Sequence, residues 1–488
     1  MEVKNTFGMF DPEVHAEIEA VHQMPKGRLV AEDLKPTRLD DRNLTAVDMG
    51  IMWVGMSVLL TTFTIGSTLY PSLSVASILW AAALGNFIVI VVMLFTGDIG
   101  IKYGIPMAVY LRAVYGTVGT HVPSVIRSLP AMFWFGFQSF LGASAINSLL
   151  YILTDGGWPG NFVTMLIVLI IFIFVQAYTT ARGVNAIAWF EKLVSPLMIA
   201  IALYMLYWIM TKAGLSIGDI LSVPAGDVGD GPQYSFGYAV TSCTGYWATM
   251  SINIMDLTRF MKVKPTADTW FKQQRGLFIS QTIGIITTII FFCFLGVTAM
   301  VATGLWNPVD VIVDMGAPIV LTCGALIIAM LAQWSTNIAA NILPPANIWA
   351  NVFAPKIGFK GGCVISGIIA FGMCTWAFGN YLVTVFAYIG AGLGGIAGSM
   401  IADYYMMRGR KLKLTDLYKT DGQYKYANGW NPCGFIAYAV GFICGLLIMD
   451  WSFIVSAIVA GVVYSLTRRF WGAKKYNQTE IIERFNIK

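Results

Sequence analysis

The stretches "WVGMSV" (Trp53–Val58) and "WATMSI" (Trp247–Ile252) share the pattern Trp-x-x-Met-Ser followed by a β-branched residue, and they begin 194 residues apart. A second pair repeats nearly the same offset. "WFGFQS" begins at Trp134 and "WSTNIA" begins at Trp334, 200 residues further on. Two pairs at almost one spacing predict that the chain contains two copies of one structural unit.

The composition is that of a membrane protein. Apolar residues make up 57% of the chain and charged residues only 12%, whereas soluble domains are roughly 25% charged. Apolar runs of about 20 residues, enough to cross a bilayer, recur along the chain. They predict an all-α integral membrane protein with twelve transmembrane helices. The expected spans lie near residues 46–70, 75–96, 121–153, 160–179, 187–211, 235–258, 277–304, 316–342, 362–379, 381–406, 432–449 and 451–467.

Lysine and arginine predict the orientation, since cytoplasmic loops carry the excess of these residues. With the N-terminus inside, every lysine and arginine except Lys212 falls on an inner segment. We therefore expect a multi-pass protein of the cell (plasma or inner) membrane with both termini cytoplasmic. The net charge of +5 reflects this bias, so it gives no reason to expect a nucleic-acid partner.

The two sequence pairs place five spans in each copy. Because five is odd, the second copy enters the membrane from the opposite side, which is the inverted repeat common in secondary transporters. The first helix of each repeat is then expected to break at mid-membrane. Gly55, with Ser57, Thr61 and Thr62, could loosen span 1, and Gly245, in the Ser- and Thr-rich run "SCTGYWATMS", could loosen span 6. Chance similarity in tryptophan-rich apolar sequence is the alternative.

Polar groups at mid-depth are uncharged. No carboxylate or imidazole is expected there, which favours a neutral substrate, since ionisable groups inside a membrane usually mark proton relays or sites for charged substrates. Trp134 and Gln138 are four residues apart and share one helix face. An indole face stacks a flat ring, and a primary amide offers both a donor and an acceptor. The alternative is that Trp134 only packs and Gln138 bonds a neighbouring helix.

Span 8 carries a second polar set. Ala332, Ser335 and Thr336 share a face, on which hydroxyl and carbonyl oxygens could hold a small cation. Asn341 lies about 140° further round an ideal helix and serves another face. The span is expected to end at Pro344–Pro345, which have no N–H to donate. The alternative is interhelical hydrogen bonding, worth only about 0.6 kcal/mol on average.

Longer motifs carry a family resemblance. "AMFWFGFQSFLGA", "WSTNIAANILPPA" and "IADYYMMRGRKLKLTDLYKTDGQYKY" closely resemble the nucleobase–cation symport family, which includes carriers of hydantoins, allantoin, uracil and cytosine. The resemblance implies a LeuT-like five-plus-five inverted repeat with two extra C-terminal helices. Segment 1–44 would be a cytosolic tail, and 45–470 the membrane domain. Within it, the repeats would span about 45–212 and 235–408, and the extra helices about 430–470. A second cytosolic tail, 471–488, would follow.

The resemblance also implies two sites. The substrate would lie between the indoles of Trp134 and Trp247, with amide contacts from Gln138 and Asn341. In the members that use sodium, the matching ion ligands are the helix 8 residues and two backbone carbonyls of helix 1. These positions are Ala332, Ser335 and Thr336, with Gly55 and Val58.

Two positions depart from the hydantoin-type members, which carry a glutamine where this chain has Leu59 and a glycine where it has Tyr246. Leu59 removes a possible hydrogen-bond partner, and Tyr246 adds bulk and a hydroxyl beside Trp247. Both residues are expected to face the substrate, and both leave its identity open.

The sequence thus predicts a secondary active symporter for a neutral, planar nucleobase or ureide-type ring. It would work as a monomer by alternating access, with sodium as the coupling ion and no cofactor. The alternatives are a proton-coupled nucleobase or vitamin permease of the same fold, a same-fold carrier of amino acids or cations, and a receptor that transports nothing. A membrane enzyme is disfavoured, because no nucleophile, base or metal cluster is expected at depth.

Overall fold

The chain folds into a bundle of α-helices. A computed structural model describes residues 11–182, 187–229, 231–264, 267–353 and 356–487, without the side chains of 187–193, 339, 351 and 380. Within these ranges the regular secondary structure is helical, and extended pairing is limited to three isolated β-bridges. The predicted all-α class is confirmed.

Among the described residues, eight helices are long and apolar enough to cross a membrane, and a bent pair makes a ninth. We number the helices after the predicted spans. The bent pair is helix 1a, Ala46–Ser57, and helix 1b, Leu60–Leu69; the other eight are helix 2, Val75–Tyr103; helix 3, His121–Leu153; helix 4, Phe162–Arg182; helix 5, Ile187–Ala213; helix 7, Trp270–Thr303; helix 8, Ile319–Ala350; helix 10, Leu382–Met407; and helix 12, Met449–Lys475.

Three further helices occupy the remaining predicted spans. They are helix 6, Phe236–Asn253; helix 9, Phe359–Gly372; and helix 11, Pro432–Leu447. They contain 18, 14 and 16 residues, fewer than the roughly 20 typical of a span. The count of twelve crossings and the inverted repeat therefore stay predictions.

Helix 1 is broken, as predicted, but the break falls at Val58–Leu59 and Gly55 stays inside helix 1a. Val58 and Leu59 leave the helical conformation, and helices 1a and 1b meet at an angle of 59°. A broken helix leaves carbonyl groups without their usual partners. At this break the Ser57 carbonyl accepts from the Leu59 N–H at 3.0 Å and from the Thr62 hydroxyl at 2.9 Å.

Helix 6 is continuous from Phe236 to Asn253, so the break predicted around Gly245 is wrong. Gly245 has a role in helix packing instead. A Cβ atom at this position would lie 1.9 Å from the backbone oxygen of Phe386. Glycine therefore lets the backbones of helices 6 and 10 approach closely, and it does not interrupt helix 6.

Helix 8 does not end at the two prolines. A π-helical turn at Ile338–Ile342 leads into a further helical segment, Leu343–Val352. Pro344 and Pro345 fall in the first turn of that segment, where the missing N–H groups would have no intrahelical partner. The predicted end near residue 342 is therefore wrong.

The described ends of the chain lie on the same side of the bundle. Glu17, in the N-terminal helix Pro12–His22, accepts from the N–H of Thr415, and Glu480, near the C-terminus, accepts from the N–H of Lys413. Thr415 and Lys413 belong to the connection between helices 10 and 11. We call this the tail side of the bundle.

Lys212 is the one cation that the sequence places outside. Its ammonium lies 3.6 Å from the carboxylate of Asp314, which falls in the outer loop between predicted spans 7 and 8 when the N-terminus is inside. The contact agrees with the predicted arrangement of loops, because it brings together two residues assigned to one side.

Candidate functional site

Four buried aromatic rings from three helices form a cluster in the bundle. Trp134 comes from helix 3, Tyr246 and Trp247 from helix 6, and Phe386 from helix 10. The ring centroids of Trp134 and Tyr246 are 4.7 Å apart, and those of Tyr246 and Trp247 are 5.4 Å apart. Phe386 stacks on Trp134 at 4.8 Å. We call these four residues the aromatic cluster.

Tyr246 connects the aromatic cluster to the break in helix 1. Its hydroxyl oxygen is 3.0 Å from the hydroxyls of both Thr61 and Thr62. Since Thr62 donates to the Ser57 carbonyl, it accepts from Tyr246, and Tyr246 in turn accepts from Thr61. One directed chain of hydrogen bonds therefore runs from helix 6 into the break of helix 1.

Among the predicted ring contacts within the described part of the chain, two buried polar atoms have no hydrogen-bond partner. They are the side-chain oxygen Oε1 of Gln138 and the indole N–H of Trp247. Leaving a buried polar group unbonded costs about 1–3 kcal/mol. A ligand that supplied the missing partners would recover that free energy.

Leu59 lies at the break itself. It is the residue before helix 1b and is 2% exposed. The sequence predicts that its side chain faces the substrate, and the structure places it just before Thr61 and Thr62, the two residues of helix 1b that Tyr246 contacts.

Asn341 lies in the π-helical turn of helix 8, where its Nδ2 donates to Oδ1 of Asn337 at 3.0 Å. Asn337 in turn donates to the Phe135 carbonyl on helix 3 and to Gln176 on helix 4. The predicted substrate ligand Asn341 is thus the last residue of a buried hydrogen-bond network that joins three helices.

The predicted ion ligands lie on two helices. Ala332, Ser335 and Thr336 are all buried on helix 8, and the Ser335 hydroxyl donates to the Ala332 carbonyl at 3.3 Å. Gly55 lies in the last turn of helix 1a, and Val58 is the first residue after that helix. The described residues contain no group of three or more histidine, cysteine or acidic side chains suited to a metal.

The hydroxyl and carbonyl oxygens of these five positions are hard, uncharged ligands. Such oxygens suit a small hard cation and do not suit a transition metal. A Cβ atom on Gly55 would lie 3.6 Å from the hydroxyl of Ser195 on helix 5. Ser195 is therefore a further oxygen beside the predicted helix 1 ligands, and the sequence analysis did not identify it.

A cavity of about 670 Å³ opens between helices 1a, 3, 6 and 8 and the chain segment 28–34. Met56, Met250 and Ala340 line it. These residues lie within one helical turn of Leu59, Trp247 and Asn341 respectively. Within the described residues, the predicted ring contacts themselves are not part of its lining, so the cavity lies on the tail side and stops short of the aromatic cluster.

Segment 28–34 is held against the cavity through its backbone. The carbonyl of Leu29 accepts from Arg112, that of Asp33 from Arg259, and that of Leu34 from the Tyr418 hydroxyl. Burial lowers the pKa of Arg112 to about 10, so this guanidinium stays cationic at neutral pH. The polar N-terminal tail thus packs onto the bundle.

Several of these contacts were missed by the sequence analysis. Phe386 and Gln176 lie far from their partners along the chain, so no local pattern identifies them. Thr61 and Thr62 were noted as residues that could loosen helix 1. A signal was present in Asn337, which stands four residues before Asn341, the spacing of neighbours on one helix face.

The comparisons with known proteins agree on one family. The family described as permease for cytosine/purines, uracil, thiamine, allantoin matches residues 37–471. The chain therefore belongs to this family of membrane transporters, and it is a transporter and not an enzyme.

Among curated relatives, the hydantoin permease of Microbacterium maritypicum is 31% identical over 445 residues, which is 90% of this chain and 89% of the relative. The allantoin permease of Bacillus subtilis (strain 168) is 30% identical over 475 residues, which is 92% of this chain and 94% of the relative.

Two solved structures of Mhp1, a nucleobase-cation-symport-1 family transporter, share the fold at 30% sequence identity. The inward-facing structure has a TM-score of 0.84 and covers 94% of this chain and 98% of its own. The closed structure, with bromovinylhydantoin bound, has a TM-score of 0.81 and covers 93% of this chain and 99% of its own.

Proposed function

We propose that this protein is a sodium-coupled symporter that carries a compact, neutral, planar nucleobase or ureide ring by alternating access. The observation that carries the proposal is the aromatic cluster, with the unbonded amide oxygen of Gln138 and indole N–H of Trp247 beside it. Aromatic faces stack planar rings, and the two polar groups can complete their hydrogen bonds with ring C=O and N–H groups.

Tyr246 limits the size of the ring. It lies in contact with both indoles and with Phe386, at centroid distances of 4.7, 5.4 and 5.7 Å. Its hydroxyl is held by helix 1, so the phenol is not free to swing aside. Mhp1 has been solved with bromovinylhydantoin, whereas the Tyr246 ring in this chain favours rings without a large substituent.

Sodium is proposed from the ligand chemistry. Ser335 and Thr336 offer hydroxyl oxygens, and Gly55, Val58 and Ala332 offer backbone carbonyls. Neutral hydroxyls and carbonyls do not titrate near neutral pH, so they favour a metal cation over a proton. Both sites would use helices 1 and 8, and linkage requires that sodium and substrate raise each other's affinity by the same factor.

The cavity supports an inward-open arrangement. It lies on the tail side between helices 1a, 3, 6 and 8, and the fold fits inward-facing Mhp1 at 0.84 and closed Mhp1 at 0.81. With both termini in the cytoplasm, as the charge distribution predicts, the cavity is the route by which the ring leaves its site for the cytoplasm.

The proposal is tested by uptake of labelled hydantoin, allantoin, uracil and cytosine into proteoliposomes under a sodium gradient or a pH gradient. We expect sodium-driven uptake of at least one ring. Ser335→Ala with Thr336→Ala should remove the sodium dependence, while the control Ser366→Ala, which alters a buried hydroxyl on helix 9, should keep it. Uptake driven by a pH gradient and indifferent to sodium would replace sodium with the proton.

The ring site is tested by tryptophan substitution. Trp247→Ala should weaken ring binding by roughly 5- to 150-fold, since base–aromatic stacking is worth about 1–3 kcal/mol. Trp80→Ala is the matched control, because the Trp80 side chain is 71% exposed on helix 2. Equal affinities in the two variants, measured by quenching of intrinsic fluorescence, would contradict the stacking role.

A further inference from the structure

The amide of Asn337 has one permitted orientation. The side chain is fully buried on helix 8, and its Nδ2 lies 3.1 Å from the backbone carbonyl of Phe135. A backbone carbonyl only accepts, so the amide atom facing it must be the nitrogen. The orientation is thus dictated by a main-chain group.

Gln176 on helix 4 fixes the same orientation independently. Its Nε2 lies 3.3 Å from the backbone carbonyl of Phe172, and 2.9 Å from the Ser139 hydroxyl. Its Oε1 therefore points the other way, toward Asn337, at a distance of 2.9 Å from Nδ2. Two separate backbone carbonyls, on helices 3 and 4, require Asn337 to donate in this direction.

The orientation of Asn341 follows from that of Asn337. With Nδ2 of Asn337 committed to helices 3 and 4, its Oδ1 faces Asn341 and accepts from Nδ2 of that residue at 3.0 Å. A reversed Asn341 amide would set two carbonyl oxygens against each other. Within the part of the chain that the structure describes, the Oδ1 atom of Asn341 is therefore left as an acceptor without a hydrogen-bond partner.

We infer that Asn337 is a positioning residue, which holds the Asn341 carbonyl oxygen toward the substrate so that this contact accepts a ring N–H. The inference rests on the proposed function. It states which partner donates and which accepts in the hydrogen bonds of Asn337 and Asn341. It also adds to the ring site Asn337, a residue that does not touch the ring itself.

Gln138 differs from Asn341 in this respect. Its Oε1 has no hydrogen-bond partner in the described residues, so no such network fixes its amide. Gln138 can turn its amide to match either a donor or an acceptor of the ligand. Discrimination between ring edges therefore comes from Asn341, held by Asn337, while Gln138 adapts.

Uracil and cytosine provide the test, because they have nearly the same shape and are both neutral. Uracil carries an N–H at ring position 3, where cytosine carries a lone pair. A fixed carbonyl oxygen accepts from the first and repels the second. We expect the wild-type protein to prefer uracil by roughly 5- to 150-fold, the range for one buried hydrogen-bonding group left unmatched.

The experiment measures the affinities of both pyrimidines in the full-length wild type and in Asn337→Ala by isothermal titration calorimetry. Without Asn337, the Asn341 amide can rotate and donate to cytosine, so the ratio should fall at least fivefold. Asn86→Ala is the matched control. It removes another fully buried amide, bonded to the Ala82 carbonyl in helix 2, and should leave the ratio unchanged.

Asn337→Asp covers the case in which the alanine variant does not fold. A buried aspartic acid stays neutral, since burial disfavours the charged form. It can donate to Phe135 and still accept from Asn341, so the uracil preference should persist. Loss of that preference in Asn337→Asp would contradict the positioning role.

The failures are distinguishable. Equal weakening of both pyrimidines in Asn337→Ala, with the ratio intact, or no preference in the wild type, overturns the inference and leaves the proposed function standing. Binding of hydantoin or allantoin without either pyrimidine does the same. Binding of no ring at all overturns the proposed function, and the inference with it.

Discussion

Helix 1 and helix 6 carry the same Trp-x-x-Met-Ser pattern, yet only one of them is broken. Helix 1 bends by 59° at Val58–Leu59, where neither glycine nor proline stands. Helix 6 contains Gly245 and runs on without interruption. A break is therefore set by the partners of the freed backbone groups, and the presence of a flexible residue does not decide it.

The partners explain the difference. At helix 1 the freed Ser57 carbonyl is satisfied by Leu59 and Thr62, and Tyr246 supports Thr62 from helix 6. At helix 6 the glycine is used for close packing on Phe386. The unbroken helix thus supports the break in the other.

Gly245→Ala should have the largest effect on this pair. The added methyl group would lie 1.9 Å from the Phe386 backbone oxygen, so helices 6 and 10 must separate. We expect loss of transport with a large drop in thermal stability.

Gly392→Ala is the control for this substitution, since a Cβ atom at that glycine of helix 10 meets nothing within 4 Å. Transport and melting temperature are measured for both variants in detergent and in proteoliposomes. Normal transport by Gly245→Ala would mean that helices 6 and 10 do not require this close approach.

Tyr246→Phe should have an intermediate effect. It keeps the ring in the aromatic cluster but removes the hydroxyl that links Thr61 and Thr62. Thr62 still donates to the Ser57 carbonyl, so the Thr61 hydroxyl is the orphaned group, at about 1–3 kcal/mol. Because the support of the helix 1 break is lost, sodium should raise substrate affinity less than in the wild type.

Substrate titrations at zero and saturating sodium measure this coupling. Tyr388→Phe serves as control, since that side chain is 54% exposed on helix 10. An unchanged sodium effect in Tyr246→Phe would show that helix 6 does not support the break.

Leu59→Gln should have the smallest effect on the tightest affinity and should still change which ring binds best. The new amide at the break offers a donor and an acceptor, so the ranking of hydantoin, allantoin, uracil and cytosine should change while the tightest affinity stays within about tenfold, or 1.4 kcal/mol.

Competition of each ring against one labelled substrate gives the ranking. Leu129→Gln, on an exposed position of helix 3, should keep the wild-type order. The same order in Leu59→Gln would mean that this position does not reach the ring.

Apolar runs predicted the helices well, because a run of about 20 apolar residues can be identified from the local sequence alone. The same local reasoning was wrong at two places. Gly245 was assigned to a break because glycine loosens a helix locally. Its actual contact, with Phe386, is made across 141 positions of the chain and leaves no local signal. Pro344 and Pro345 were expected to end helix 8 because they lack N–H groups. The π-helical turn that lets the helix continue has no simple sequence signal.

The site was predicted unevenly for the same reason. Trp134, Tyr246 and Trp247 were named from sequence, and the structure brings them into one cluster with Phe386, which was not. Asn341 was named as a ligand, but the bond of its neighbour Asn337 to Gln176 on helix 4 was not. Residues within one helix turn can be paired from spacing, whereas contacts between helices depend on how the bundle packs.

The hydrogen bonds that hold segment 28–34 depend on the length of the segment and do not depend on its side chains. The groups that Arg112, Arg259 and Tyr418 hold are main-chain carbonyls, which every amino acid carries. These three hydrogen bonds therefore set no requirement on side-chain identity, and the requirement for apolar side chains falls on the buried Leu29 and Val30. Insertions and deletions are not tolerated in the same way, because they shift which carbonyl meets which partner.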